Sequence, residues 1–221
     1  MKTTILSLLE KMPYFSLEAV QQLVEGETLA PGSTQTLLYR WMKNGLVYPL
    51  RKGLYTSRRF VEMHRADPDF APAISAVLIP QSYVSLEFVL QRSGILTEVT
   101  YPITAVTLKH TRVIENKLGT FSYRTLRAGL YLGYDLHQYG GIPFAMATPA
   151  KALFDTLYYR PLPAGFSATS SNLAEELRLN LEDLSPAEVD EFAGYVRLSK
   201  SKKMLSLLKN LKETVWPHSS N

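Results

Sequence analysis

Apolar residues recur at helical spacing through the first part of the chain. Ile5, Leu6, Leu8 and Leu9 line one side of the stretch from Thr3 to Met12. Ser16 stands as an N-cap before a second helix over Leu17 to Leu23. Pro31-Gly32 breaks the chain, Ser33 or Thr34 caps a third helix running to Asn44, and Gly45 supplies its stop. Leu37, Leu38, Trp41 and Met42 form the apolar stripe of that third helix. Two short extended pieces follow, Leu46 to Tyr48 and Leu54 to Thr56, joined by Pro49-Leu50-Arg51-Lys52-Gly53.

Further along, the spacing predicts helices over Phe70 to Leu78 and Val84 to Gln91, the second stopped at Gly94. Strands are expected over Thr104 to Leu108, Phe121 to Leu126 and, after a Gly140-Gly141 turn, Ile142 to Ala147. Thr148 caps a helix with Pro149 at its first position, running to Tyr159, where Pro161 and Pro163 end it. A small polar linker, Ser167 to Asn172, leads into a helical tail. The tail has a short helix from Leu173 to Leu179, a capping box at Ser185-Pro186-Ala187-Glu188 opening a helix to about Leu198, and a last helix from Ser201 to Val215. The fold class expected is α/β (α+β). It consists of an N-terminal winged helix-turn-helix over residues 1–62 and a mixed α/β domain with a helical tail over residues 68–221.

Charge sharpens this picture. From Ser33 to Arg59 the basic residues are Arg40, Lys43, Arg51, Lys52, Arg58 and Arg59, and no acid interrupts them. The third helix carries Ser33, Thr34, Gln35, Thr36, Tyr39, Arg40 and Lys43 on its polar face. Hydroxyls and an amide at a helix start suit base edges and phosphates alike, because the unpaired N–H groups there attract anions. Arg51 and Lys52 at the hairpin turn would reach phosphates or the adjacent groove. Residues 33–52 are therefore expected to bind duplex DNA; the competing reading is a solvated helix face or a protein-docking module. A second basic block, Arg197 to Lys212, is also free of acids. It would either extend that footprint or form the solvated face of an amphipathic helix.

Composition excludes other classes. Hydrophobic residues make up 46% and charged residues 20%, the balance of a folded chain rather than a disordered one. With no cysteine, disulfides and cysteine-based zinc sites are impossible, and a reducing compartment is expected. No apolar run approaches the roughly 20 residues of a membrane span, and Glu10 and Lys11 cut short the N-terminal apolar run that a signal peptide would need. The expected location is the cytoplasm.

Catalytic signals are weak. His64, His110, His137 and His218 form no metal-spaced pair, and neither a phosphate-binding glycine loop nor a Gly-x-Ser-x-Gly elbow occurs. Glu115-Asn116-Lys117 has the acid-x-Lys spacing of metal-dependent nucleases, with Glu98 or Glu87 needed as a second ligand. Its plainer reading is a charged turn before Gly119. Lys151 and Asp155 read as an exposed i,i+4 pair on a mainly structural helix, with an interface role as the alternative. No catalytic residue, metal or cofactor is expected.

Several stretches together resemble the AbiEi-like (abortive infection) antitoxins of type IV toxin–antitoxin systems. Leu37-Leu38-Tyr39-Arg40-Trp41-Met42-Lys43-Asn44-Gly45-Leu46-Val47 followed by Arg51-Lys52-Gly53-Leu54-Tyr55 resembles the end of the family's winged helix. Ser82 to Leu90, Val106 to Arg112 and Gly119 to Tyr123 are similar to the start and the strand pair of its second domain. Ala147-Thr148-Pro149-Ala150-Lys151-Ala152-Leu153-Phe154-Asp155 resembles the family's distinctive Ala-x-Pro-x-Lys-Ala-Leu-x-Asp. The resemblance implies a transcriptional repressor that binds inverted repeats in its own promoter. It also implies an antitoxin that counters a nucleotidyltransferase-like toxin without a stable complex. Lys151 and Asp155 are then candidates for an antitoxin-domain interface.

Overall fold

A computed structural model describes residues 2–25, 33–98, 102–162, 165–168 and 171–217. The expected Pro31-Gly32 break lies outside them. Helices α1 (Lys2–Leu9), α2 (Leu17–Glu25) and α3 (Ser33–Lys43) occur where the apolar spacing places them. Ser16 caps α2, its Oγ accepting from Ala19 N at 3.2 Å. At the end of α3 Gly45 takes φ +66°, Leu46 N donates to Trp41 O at 2.9 Å and Gly45 N to Met42 O at 3.0 Å. This 6→1 and 5→2 pair is the Schellman stop, and it needs a residue that tolerates positive φ. Strands β1 (Phe15–Ser16), β2 (Val47–Arg51) and β3 (Leu54–Ser57) form an antiparallel sheet in the order β1-β3-β2. Ile5, Leu9, Phe15, Val20, Leu37, Trp41 and Val47 are buried together between the helices and this sheet.

A further helix, α4 (Arg58–His64), follows β3 directly and was not expected. Ser57 caps it, with Phe60 N donating to Ser57 Oγ at 3.0 Å. Phe60 and Val61 share a core with Leu50 of β2, with Ile74 and Leu78 of α5 (Phe70–Leu78) and with Ala105, Phe121 and Tyr123 of the larger sheet. The first 60 residues are thus joined to the rest by a packed apolar seam.

The larger sheet contains β4 (Ser82–Val84), β5 (Ile103–Thr107), β6 (Arg112–Asn116), β7 (Gly119–Thr125), β8 (Tyr134–Tyr139) and β9 (Ile142–Ala147), in the order β6-β7-β5-β4-β9-β8. It is mixed: β4 runs parallel to β9 and β5 to β7, and the other neighbours are antiparallel. Tyr83 pairs with Val106 and Val84 with Ala105, so alternation sends them to opposite faces. Tyr83 reaches α7 (Pro149–Tyr159). On the other face the Tyr123 hydroxyl donates to Ser75 O of α5 at 2.9 Å.

Three expectations need correction. Glu115 and Asn116, read as part of a charged turn, belong to β6, where they pair with Thr120 and Gly119 of β7, and only Lys117 of that triplet lies in the turn. Val84 belongs to β4, not to a helix; α6 starts only at Glu87 and ends at Arg92. Pairing on both sides of β4 overrides the helical spacing, and Leu86 turns the chain at φ +62° before α6 begins. Strand β8 was missed because it is an edge strand whose middle residues, Asp135 to Gln138, are all exposed and show no inward alternation.

The tail follows expectation. It comprises α8 (Leu173–Glu176), α9 (Pro186–Ser199) and α10 (Lys202–Thr214). In the capping box Glu188 N donates to Ser185 Oγ at 3.3 Å and Ser185 N to Glu188 Oε2 at 2.9 Å. The architecture is mixed α/β, and among the described residues no helix is long and apolar enough to cross a membrane.

Candidate functional site

Because Leu37, Leu38 and Trp41 are buried, helical geometry turns Gln35, Thr36, Tyr39, Arg40 and Lys43 outward, and all five are exposed. Tyr39 is 61% exposed. Thr34 is half-buried, and the side chain of Ser33 lies outside the described residues. Arg51 and Lys52 stand exposed at the β2–β3 turn. None of Arg40, Lys43, Arg51 or Lys52 forms an ion pair with a described carboxylate. The other two cations of the block do: Arg58 Nε meets Glu62 at 2.6 Å and Arg59 Nη1 meets Glu10 at 3.4 Å. The block is acid-free along the chain; in space its first four cations form no ion pair with a described carboxylate, although Glu115 of the larger domain lines a groove with Lys43, Arg51 and Lys52.

The β6–β7 hairpin lies beside the β2–β3 turn. Asn116 Nδ2 donates to Leu50 O at 3.2 Å and ties the two together. Between them runs a groove of about 890 Å³, bordered by Lys43, Tyr48, Arg51 and Lys52 on one side and by Glu115 and Lys117 on the other. The supporting ligands considered for a nuclease are not gathered here. Glu98 is paired with Arg178 Nη1 at 3.1 Å. Glu87 opens α6 next to β4, with β5 and β7 between it and β6. Among the described residues no group of three His, Asp or Glu is placed to hold a metal.

Lys151 and Asp155 are not an exposed pair: both side chains are 0% exposed. The stripe of α7 is wider than an amphipathic reading allows, because β4, α6 and α9 surround the helix. Lys151 Nζ donates to Asp155 Oδ1. Asp155 Oδ2 accepts from Tyr83 Oη at 2.9 Å and from Ser85 Oγ at 2.8 Å. The ammonium also faces the rings of Phe154 at 4.8 Å and of Tyr83 and Tyr195 at 5.5 Å. Burial pushes the Asp155 carboxyl up and the Lys151 ammonium down, while their mutual attraction opposes both shifts. Backbone space is tight here. Gly133, at φ +81°, would place a Cβ 2.2 Å from Tyr195 Oη, so any other residue would be strained and would displace the Tyr195 ring. Thr148 caps α7, accepting from Lys151 N at 3.1 Å, and donates to Glu191 of α9 at 2.7 Å; Tyr195 Oη donates to the same Glu191 oxygen at 2.5 Å. The interface expectation for Lys151 and Asp155 is therefore corrected: their polar atoms are spent inside the fold.

The second basic block is also redistributed. Lys203 Nζ donates to three carbonyls at the end of α7, Leu157 O at 2.9 Å, Tyr158 O at 2.6 Å and Arg160 O at 2.9 Å. An ammonium there satisfies carbonyls that have no partner within the helix. Lys209 lies 3.8 Å from Glu213. Arg197, Lys200 and Lys202 remain exposed. Replacing Lys203 by methionine should lower stability by about 1–3 kcal/mol, measured by urea unfolding, whereas Lys202→Met should change it by less than about 0.5 kcal/mol.

No family model matches the chain, and no curated protein sequence matches it significantly.

Proposed function

We propose that residues 1–62 form a winged helix-turn-helix that binds duplex DNA, and that the chain is a transcriptional repressor. The observation that carries this reading is the shared exposure of Gln35, Thr36, Tyr39, Arg40 and Lys43 on α3 with Arg51 and Lys52 at the β2–β3 turn, none of the four cations being neutralised by a described carboxylate. In this arrangement α3 enters the major groove, and the β2–β3 turn acts as the wing on flanking phosphates. The resemblance to AbiEi-like antitoxins extends the reading to a type IV toxin–antitoxin system. The repressor would act on inverted repeats in its own promoter, and the larger domain would counter a nucleotidyltransferase-like toxin. The burial of Lys151 and Asp155 makes the most family-like stretch a scaffold element, so an antitoxin activity would run through other surfaces.

The test is titration of the purified protein against a duplex from upstream of its own reading frame, followed by fluorescence anisotropy across a salt series. If six phosphates are neutralised, the logarithm of the affinity should fall against the logarithm of salt with a slope near ~5. Absence of binding at low salt rejects the reading. Growth rescue on co-expression with a nucleotidyltransferase-like toxin tests the antitoxin part separately.

A second reading has one observation in its favour. Leu136 on edge strand β8 is 80% exposed beside a largely apolar cavity of about 550 Å³ that Tyr14, Leu54, Tyr131, Tyr134 and Phe144 help to line. This suits a protein-interaction module, for which co-purification of a partner in the absence of DNA would be the signature.

A further inference from the structure

We infer that the β6–β7 hairpin of the larger domain is a second nucleic-acid contact, with Lys117 holding a phosphate of the same duplex that the β2–β3 turn engages. The inference rests on the DNA-binding reading above and adds to it a contact from outside the N-terminal unit.

The hairpin is built to stay where it is. Asn116 Oδ1 accepts from Leu118 N at 2.8 Å while its Nδ2 holds Leu50 O. One side chain thus shapes the β6–β7 turn and pins it to the neighbouring turn. Ile114 and Leu118 pack against the core that contains Leu50 and Phe60. Strand alternation turns Glu115 away from that core, and Lys117 follows in the β6–β7 turn; both are exposed on the groove. Lys117 therefore stands across the groove from Lys43, Arg51 and Lys52, so four cations face a channel that contains one carboxylate, Glu115.

The chemistry this recognises is a run of phosphates. Four cations spread over α3, the β2–β3 turn and the β6–β7 turn and across one groove suit regularly spaced charges better than a single small anion. The groove is also continuous with the outward face of α3 through Lys43. Glu115 opposes a polyanion in that channel and weakens its binding, which gives the inference a test in the opposite direction. The acid-x-Lys triplet thus has a use that needs no metal: the lysine binds and the carboxylate tempers.

The experiment measures binding of the upstream duplex by the full chain, with Lys117→Ala and Glu115→Gln, across a salt series. Lys117→Ala should bind about five- to tenfold more weakly near 0.1 M salt and lower the salt slope by about 1. Glu115→Gln should bind about threefold more tightly, a gain that no unfolding artefact imitates. Unchanged melting curves confirm that the exposed positions leave the fold intact. If the wild type binds and both variants match it in affinity and slope, the hairpin is a bystander and only this inference falls. If the wild type binds no duplex, both readings fall. Loss of binding in Lys117→Ala to an acidic polypeptide but not to DNA would overturn the assignment in favour of a protein partner.

Discussion

Replacing Lys151 by methionine should cost about 3–5 kcal/mol of stability at neutral pH, because it strands the Asp155 carboxylate in a site without solvent. Breaking a buried pair on one side costs more than the pair contributes. The double replacement Lys151→Met with Asp155→Asn should recover most of the loss. An asparagine oxygen still accepts from Tyr83 and Ser85, so their hydroxyls keep a partner while the charge disappears. The loss should also depend on pH. In the single variant Asp155 keeps the burial that pushes its carboxyl up and loses the ammonium that held it down. A carboxyl whose folded pKa lies above its unfolded value of about 3.9 favours folding below that value and loses this contribution as pH rises through the folded pKa. The deficit of Lys151→Met relative to wild type should therefore shrink on acidification from neutral pH toward about 4. Urea unfolding of wild type, single and double variants at several pH values measures this. A single variant within about 1 kcal/mol of wild type would mean that the pair is not held dry.

The second large effect concerns DNA. Arg51→Ala combined with Lys52→Ala should flatten the salt slope by about 2 and weaken binding by one to two orders of magnitude near about 0.1 M salt. Both side chains are exposed and lack a described carboxylate partner, whereas the buried Leu50 and its carbonyl, held by Asn116, keep the turn in place. The fold should accordingly survive, and the loss should fall almost equally on different duplex sequences. Gln35→Ala or Arg40→Ala should instead alter sequence preference, since α3 is the element assigned to base edges. An unchanged slope in the double variant would remove the β2–β3 turn from the interface. If Lys202→Glu abolished binding while the turn variant kept it, the interface would belong to the tail. Lys203 is unsuited to that comparison, because its ammonium caps α7.

The order of elements was legible in the sequence wherever local signals are strong. Ser16, Thr148 and Ser185 cap the helices they precede, and Gly45 ends α3 as its position predicts. The outward face of α3 follows from four apolar residues at helical spacing, so Gln35, Thr36, Tyr39, Arg40 and Lys43 stand exposed where a helical wheel puts them, while Thr34 is half-buried. What a chain cannot show is which elements flank a residue. Lys151 and Asp155 look like an ordinary surface pair until β4 brings Tyr83 and Ser85 from some 70 positions away and α9 covers the other side. Lys203 looks like part of a basic face until it meets the end of α7.

By itself, the sequence determined the capped helices, the strand-rich middle and the acid-free stretch from Ser33 to Arg59, because caps, periodicity and charge runs act over a few neighbouring residues. Only the tertiary structure decided that β4 is a strand, that Arg58 and Arg59 are neutralised, that Lys151 is buried and that Lys117 stands across a groove from Arg51. These outcomes depend on pairings between distant segments, and burial and electrostatic partnership are properties of that assembled neighbourhood rather than of the local chain.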